Sequence, residues 1–269
     1  MAALQLSQFQ SRQLLPKIIN NTENNGPYVN EFSFDQVIQR VEQMPAHSIF
    51  LGLAGDELPV YFDWKDSKIG SLLLINDHIP SIQKLMLTMI KSICLVNSNE
   101  DIQYIMISNH PDLWMNLIAE GDPNYDFCGG VVGSDEIEAE DWIIYLAQKV
   151  EHRLNGRQWG ASIILFLDDY SIIDQLDIQT RMNFEWLVKY GSRVNIWTIS
   201  GLDISKCNRT NQVLGQFSTK IFGKIESNLH PKLSGHIPSP ILDTLFPNRH
   251  YVTKIGSEWI RFWAPKLQC

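Results

Sequence analysis

Residues 71–93, SLLLINDHIPSIQKLMLTMIKSI, decide how the rest of the chain is read. Their first part, SLLLI, is a short unbroken apolar run of the kind that forms a strand buried on both faces. The next six residues, NDHIPS, are polar and include Pro80, a turn composition. Beyond them Ile82, Leu85, Met86, Met89, Ile90 and Ile93 recur at i, i+3, i+4, i+7, i+8 and i+11, which is one continuous core-facing stripe on a helix. A buried strand running straight into an amphipathic helix is the building unit of a parallel sheet.

The neighbouring sequence repeats this alternation. HSIFLGL (47–53) and LPVYFDW (58–64) read as a hairpin around Gly55, and DIQYIMIS (101–108), ASIILFLDD (161–169), VNIWTIS (194–200) and TKIFGKI (219–225) as further strands. Ser134 is placed to open a helix through DEIEAEDWIIYLAQKVEHRLNG, acidic at its start, basic near its end and stopped by Gly156. Another helix is expected over about 175–190, ending at Gly191, and HYVTKIGSEWIRFWAP (250–265) closes the chain as a hairpin. The fold class that follows is α/β: a mostly parallel sheet with helices on both faces and a C-terminal β-hairpin.

Ahead of this region residues 1–30 are rich in Gln and Asn, and NNTENNGP (20–27) has a linker's composition, so partial disorder is expected before Ser33 caps a helix over FDQVIQRVEQM. The organisation expected is a polar arm with one helix over 1–45 and one large domain over 46–269. A chain of 269 residues, 44% hydrophobic and 19% charged, is long enough for that core. No apolar run reaches the roughly 20 residues of a membrane span and the N-terminal stretch is too polar for a secretory signal, which predicts a cytoplasmic location.

Charge and rare residues exclude several function classes. With 22 basic against 30 acidic residues the net charge is −8, so nucleic-acid binding would require a local patch and protein partners are the default. Cys94, Cys128, Cys207 and Cys269 are far apart and read as free thiols. The histidines at 47, 78, 110, 152, 230, 236 and 250 have no metal-ligand spacing, and there is no GxSxG nucleophile turn. Trp142, Trp159, Trp186, Trp197, Trp259 and Trp263 lack interleaved basic residues and read as core or interface packing.

Five segments in series carry a family resemblance: IFLGLAGDELPVYFDW (49–64), AQKVEHRL (147–154), SIILFLDD (162–169), LVKYGSRVNIWTIS (187–200) and QFSTKIFGKIES (216–227), with the strand–turn–helix of 71–93 between the first two. Together they resemble the motor domain of the FtsK/SpoIIIE and HerA group of DNA-translocating ATPases over about residues 46–227. That resemblance implies a P-loop NTPase (RecA-like) fold. It places Asp168 and Asp169 at the acidic strand end, EHR (151–153) and GSRVNIW (191–197) at the family's basic segments, and Arg153, Arg193 and Lys220 at or beside basic positions, where solvated side chains are the simpler reading.

Matched to the same pattern, the eight P-loop positions fall on Asn76, Asp77, His78, Ile79, Pro80, Ser81, Ile82 and Gln83. The glycines are replaced by Asn76, Ile79 and Ser81, the phosphate-binding lysine by Ile82 and the magnesium-binding hydroxyl by Gln83. Each change works against a nucleotide: β-branched Ile79 resists positive φ, Pro80 has no N–H, and Asp77 sets a carboxylate near a polyanion. Lys84 does not substitute for the lysine, because two residues turn about 200° around a helix.

Two readings of this turn stand at this stage: a plain connection with Ser81 as the helix N-cap, or a weak anion site at the helix N-terminus. Asp168 likewise either orients magnesium, with Asp169 positioning water, or the pair caps the turn that follows. The function expected is a catalytically degenerate subunit, structural or regulatory, in a homo-oligomer or beside an active ATPase. It needs no cofactor, ATP and magnesium entering only if the altered site still binds. The alternatives are an active or conditionally active ATP-dependent DNA translocase that borrows its cation from a neighbour, and a protein-binding module that uses the 1–45 arm.

Overall fold

The structure is a computed structural model that describes residues 32–41, 44–118, 124–157 and 160–267. The linker segment, Trp159 and Cys269 lie outside the described residues. The apolar run of 71–75 forms β3 (Leu72–Asn76), buried at every position, and α2 (Ile79–Val96) follows it. All six stripe residues of α2 are buried. This helix is long and apolar enough to cross a membrane by length and composition, and here it packs under the sheet through that stripe.

Ten strands form one mixed sheet: β1 (Ser48–Ala54), β2 (Pro59–Asp63), β3, β4 (Ile102–Ser108), β5 (Cys128–Gly133), β6 (Ser162–Leu167), β7 (Ile196–Asp203), β8 (Thr219–Phe222), β9 (His250–Ile255) and β10 (Glu258–Trp263). Their spatial order is β2-β1-β10-β9-β8-β3-β7-β6-β4-β5. The pairs from β8 to β5 are all parallel, and an antiparallel wing of β9, β10, β1 and β2 extends the sheet on the other side. The hairpins expected at both ends are present, and the closing one joins the first edge to edge, β1 against β10.

Period-two alternation divides the core. Leu72 and Leu74 face the α2 side with Met86 and Ile90, whereas Leu73 and Ile75 face the opposite layer of α4 (Ile137–Leu154) and α6 (Ile178–Tyr190). A third cluster joins Phe34 and Val37 of α1 (Phe34–Arg40) to Phe50 and Leu53 of β1. Ser33 caps α1 in a capping box with Gln36, as its sequence implies, although the helix ends at Arg40.

Several local features differ from what the sequence implies. Ser134 does not cap α4: the helix starts at Ile137 after Glu136, and Ser134 Oγ instead donates to Asn109 Oδ1 at 2.7 Å. The helix expected over about 175–190 is α6, which starts at Ile178 because Asp177 caps it through the N–H groups of Gln179 and Thr180 and which ends before Gly191; the short α5 (Ser171–Gln175) precedes it. The edge strand β5 and the short α3 (Pro111–Leu117) have no counterpart in the reading; CGGVVG is half glycine and lacks the apolar run of a strand. Arg153 is buried rather than solvated, its guanidinium donating to the carbonyls of Val194, Asn195 and Ala161, so it ties the end of α4 to the start of β7.

Candidate functional site

The C-terminal ends of β3, β7, β6 and β4 meet where the chain order changes direction: α2 leaves β3 and crosses to β4, with β7 and β6 between. Such a switch point is where parallel α/β sheets hold ligands. β3 delivers Asn76, β6 delivers Asp168, and β4 delivers Ser108.

The connection between β3 and α2 is tight. Asn76 is buried, its Oδ1 accepts from the His78 N–H at 3.0 Å, and a Cβ added to Gly223 would meet its amide nitrogen at 2.1 Å. His78, not Ser81, is the N-cap residue, so Ile79, Pro80, Ser81, Ile82 and Gln83 all lie in the first turns of α2. None of the positions 76–83 has positive φ. The glycine-like loop geometry is therefore replaced by helix, which suits the β-branched Ile79.

The groups at this helix end are engaged within the chain. His78 Nδ1 lies 3.0 Å from Ser81 Oγ, which donates to Asn248 Oδ1 at 3.2 Å, and the Tyr251 hydroxyl donates to the Ser81 carbonyl at 2.7 Å. Burial raises the Tyr251 phenol far above its ordinary range. Asp77 Oδ2 accepts the Glu226 N–H at 2.7 Å, fastening the segment after β8 to the turn.

Two of the singled-out positions come together with the acidic strand end. Gln83 Nε2 donates to Asp168 Oδ2 at 3.4 Å; the same oxygen accepts from Ser108 Oγ at 2.5 Å and from Trp114 Nε1 at 3.2 Å, while the Asn109 N–H reaches Oδ1 at 3.4 Å. Asp168 is only 1% exposed. Its oxygens are thus met by internal donors, as a buried polar group requires. Ile82 is buried too, and a Cβ on Gly201 would meet its Cγ2 at 2.7 Å and the Asp168 carbonyl at 2.3 Å.

Lys84 emerges exposed, away from this cluster. Asp169 does not join it: its carboxylate accepts the Ser171 N–H at 2.9 Å and starts α5. Ser108, Trp114, Asn109, Asn248 and Tyr251 complete the arrangement and went unmarked in the sequence, since each is an ordinary strand, helix or loop residue until the strands are placed side by side. Arg193 lies over the Tyr190 ring and Lys220 Nζ donates to the Phe217 carbonyl, both apart from the crevice.

A magnesium nucleotide fits these residues poorly. Ile82, which the resemblance sets at the phosphate-binding lysine, is buried, Pro80 contributes no N–H, and the acceptors of Asp168 already receive donors from the chain. Among the described residues no group of three or more His, Cys, Asp or Glu side chains is arranged to hold a metal.

No family model matches the sequence, and no curated protein matches it. Solved structures do. The ATPase 2 and 3 segment of EccC from Thermomonospora curvata, in complex with a signal sequence peptide, superposes with a TM-score of 0.66 at 13% identity, over 89% of this chain and 44% of that one. The corresponding segment of EssC from Geobacillus thermodenitrificans gives 0.66 at 11% identity, over 96% and 49%. The pCW3 conjugation coupling protein TcpA, with ATPgS, gives 0.61 at 13% identity, over 87% and 69%. The chain has the fold of the FtsK/SpoIIIE-type P-loop ATPase domains, in a mixed rather than purely parallel sheet. It spans less than half the length of the EccC and EssC chains it matches.

Proposed function

We propose that this protein is a non-hydrolysing FtsK-fold subunit, structural or regulatory, of a larger assembly that contains an active ATPase. The observation that carries the reading is the Gln83–Asp168 hydrogen bond. In the family pattern those two positions share the metal; here an amide donor and a carboxylate satisfy each other, and Ser108 and Trp114 complete the shell. The inward Ile82 supports the same conclusion, because phosphoryl transfer depends on cations placed around the phosphates. What remains of the ancestral crevice is a fold-stabilising hub.

Support for the assembly role comes from the neighbours, which include a type VII secretion ATPase and a conjugation coupling protein, and from the acidic net charge, which favours protein partners over DNA. The test is ATP turnover by the full chain, alone and with DNA. The expected result is release of phosphate at background rate in both. Robust turnover that Asp168→Ala abolishes would overturn the reading.

A further inference from the structure

The layer formed by α4 and α6 has an unusual outer surface. Of the eleven large apolar side chains that stand exposed among the described residues, six lie on these two helices: Ile137, Tyr145 and Leu154 on α4, Ile178, Met182 and Trp186 on α6. Ile178 is 71% exposed, Met182 58% and Trp186 40%, and their i, i+4, i+8 spacing makes one stripe. Trp186 continues it onto Tyr190, with ring centroids 4.3 Å apart. An apolar stripe this long on an outer helix marks a contact surface.

Charge says what the surface meets. Both helices run antiparallel to the parallel strands they connect, so they run the same way as each other. α4 follows the helix dipole, acidic in its first turn and basic in its last, whereas α6 has exposed Asp177 at its N-cap, half-buried Arg181 one turn on and Lys189 in its last turn. Exposed Asp135, Glu136, Glu138 and Asp141 gather at the starting end, and exposed His152, Arg157, Lys189 and Arg193 at the finishing end. Glu151 also lies at the finishing end, and Glu185 accepts from Gln216 Nε2 at 3.1 Å.

A face that is acidic at one end, basic at the other and apolar along its length is complementary to itself after a half turn about an axis that lies in the face and crosses the helices. We infer that the α4/α6 face is a two-fold self-association surface, on which a second copy packs its α4 and α6 antiparallel. The apolar stripes meet in the middle and each acidic end meets the other copy's basic end. This surface is on the opposite side of the sheet from α2, and its occupancy is independent of whether the crevice takes nucleotide.

The experiment is sedimentation of the full chain with two charge-reversed variants, all changes being at exposed positions: Lys189→Glu with Arg193→Glu, and Glu138→Lys with Asp141→Lys. Wild type is expected to dimerise reversibly, and each variant to dimerise about tenfold or more weakly. Mixing the two variants is expected to restore a heterodimer, because the doubly acidic face then meets the doubly basic one. Met182→Lys, which removes the apolar centre, is expected to weaken all the pairs while leaving the circular dichroism unchanged. A wild-type chain that stays monomeric, or a dimer indifferent to the reversals and unrescued by mixing, would overturn the inference and leave the stripe to another occupant.

Discussion

Gln83 Nε2 and Asp168 Oδ2 lie 3.4 Å apart and join the first turns of α2 to the end of β6. Ser108 on β4 and Trp114 on α3 close on the same oxygen, so one buried carboxylate at the end of β6 links α2, β4 and α3. A group in that position is expected to be worth more to the fold than to any reaction.

Asp168→Ala leaves the Ser108 hydroxyl and Trp114 indole N–H without their acceptor, and is expected to destabilise the protein by ~3 kcal/mol. Asp168→Asn keeps one carbonyl acceptor and should cost about half of that. Urea unfolding followed by circular dichroism checks both. An Ala variant within about 0.5 kcal/mol of wild type would contradict the hub role.

Ile82→Lys restores the residue type that the family pattern places there. Because Ile82 faces the core beside Gly201, the new ammonium is buried without a prepared partner, at a cost of ~3 kcal/mol or more. The expected outcome is a lower melting temperature and no gain of Mg-ATP affinity in a thermal-shift series. A stable variant that binds the nucleotide would show that only the side chain had been missing.

Gly201→Ala tests the close approach of β7 to the end of β6. The added methyl would sit 2.3 Å from the Asp168 carbonyl oxygen, a backbone atom that cannot rotate away. The expected loss is about 2–4 kcal/mol in urea unfolding. Gly215→Ala, with nothing within 4 Å, serves as the control and should be close to neutral.

His250 supplies a pH dependence. Burial, reinforced by the positive charge of Arg261, lowers its pKa from 6.5 to about 3, and its ring stacks on Trp263 at 3.9 Å. The native state therefore keeps His250 neutral while the unfolded chain takes up a proton near its ordinary pKa. Its contribution to stability is complete above pH 6.5 and declines as pH falls toward 3, at up to ~1.4 kcal/mol per pH unit. His250→Phe keeps a stacking ring without the titration. The stability of this variant relative to wild type should rise by about 2 kcal/mol between pH 7.5 and pH 5 in urea titrations. Parallel pH profiles for the two chains would contradict the assignment.

The parallel core was legible because each of its central strands is an unbroken apolar run and α2 carries an unbroken stripe. Both signals come from burial on a fixed geometric period, and both survive without knowledge of neighbours. β5 was not legible, since its glycines remove the side-chain pattern that marks a strand, and neither was the start of α4, where Ser134 is drawn to Asn109 by a contact between sequence-distant residues. At the crevice, the residue types of Asn76, Ile79, Ser81 and Ile82 could be read, and none of them has positive φ in the structure. That Gln83 turns toward Asp168, that His78 takes the N-cap, and that Asn248 and Tyr251 fasten the helix start depend on β6 and β9 arriving from elsewhere in the chain. Burial of Arg153 belongs to the same class: its acceptors are carbonyls, which no residue type announces.

On the proposed reading the crevice between β3 and β6 is closed to a magnesium nucleotide by its own side chains. Calorimetric titration of the full chain with Mg-AMPPNP measures this. No binding heat is expected at ligand concentrations up to about 1 mM, a free energy weaker than about −4 kcal/mol. Saturable, magnesium-dependent binding in the micromolar range, lost in Asp168→Asn, would contradict it.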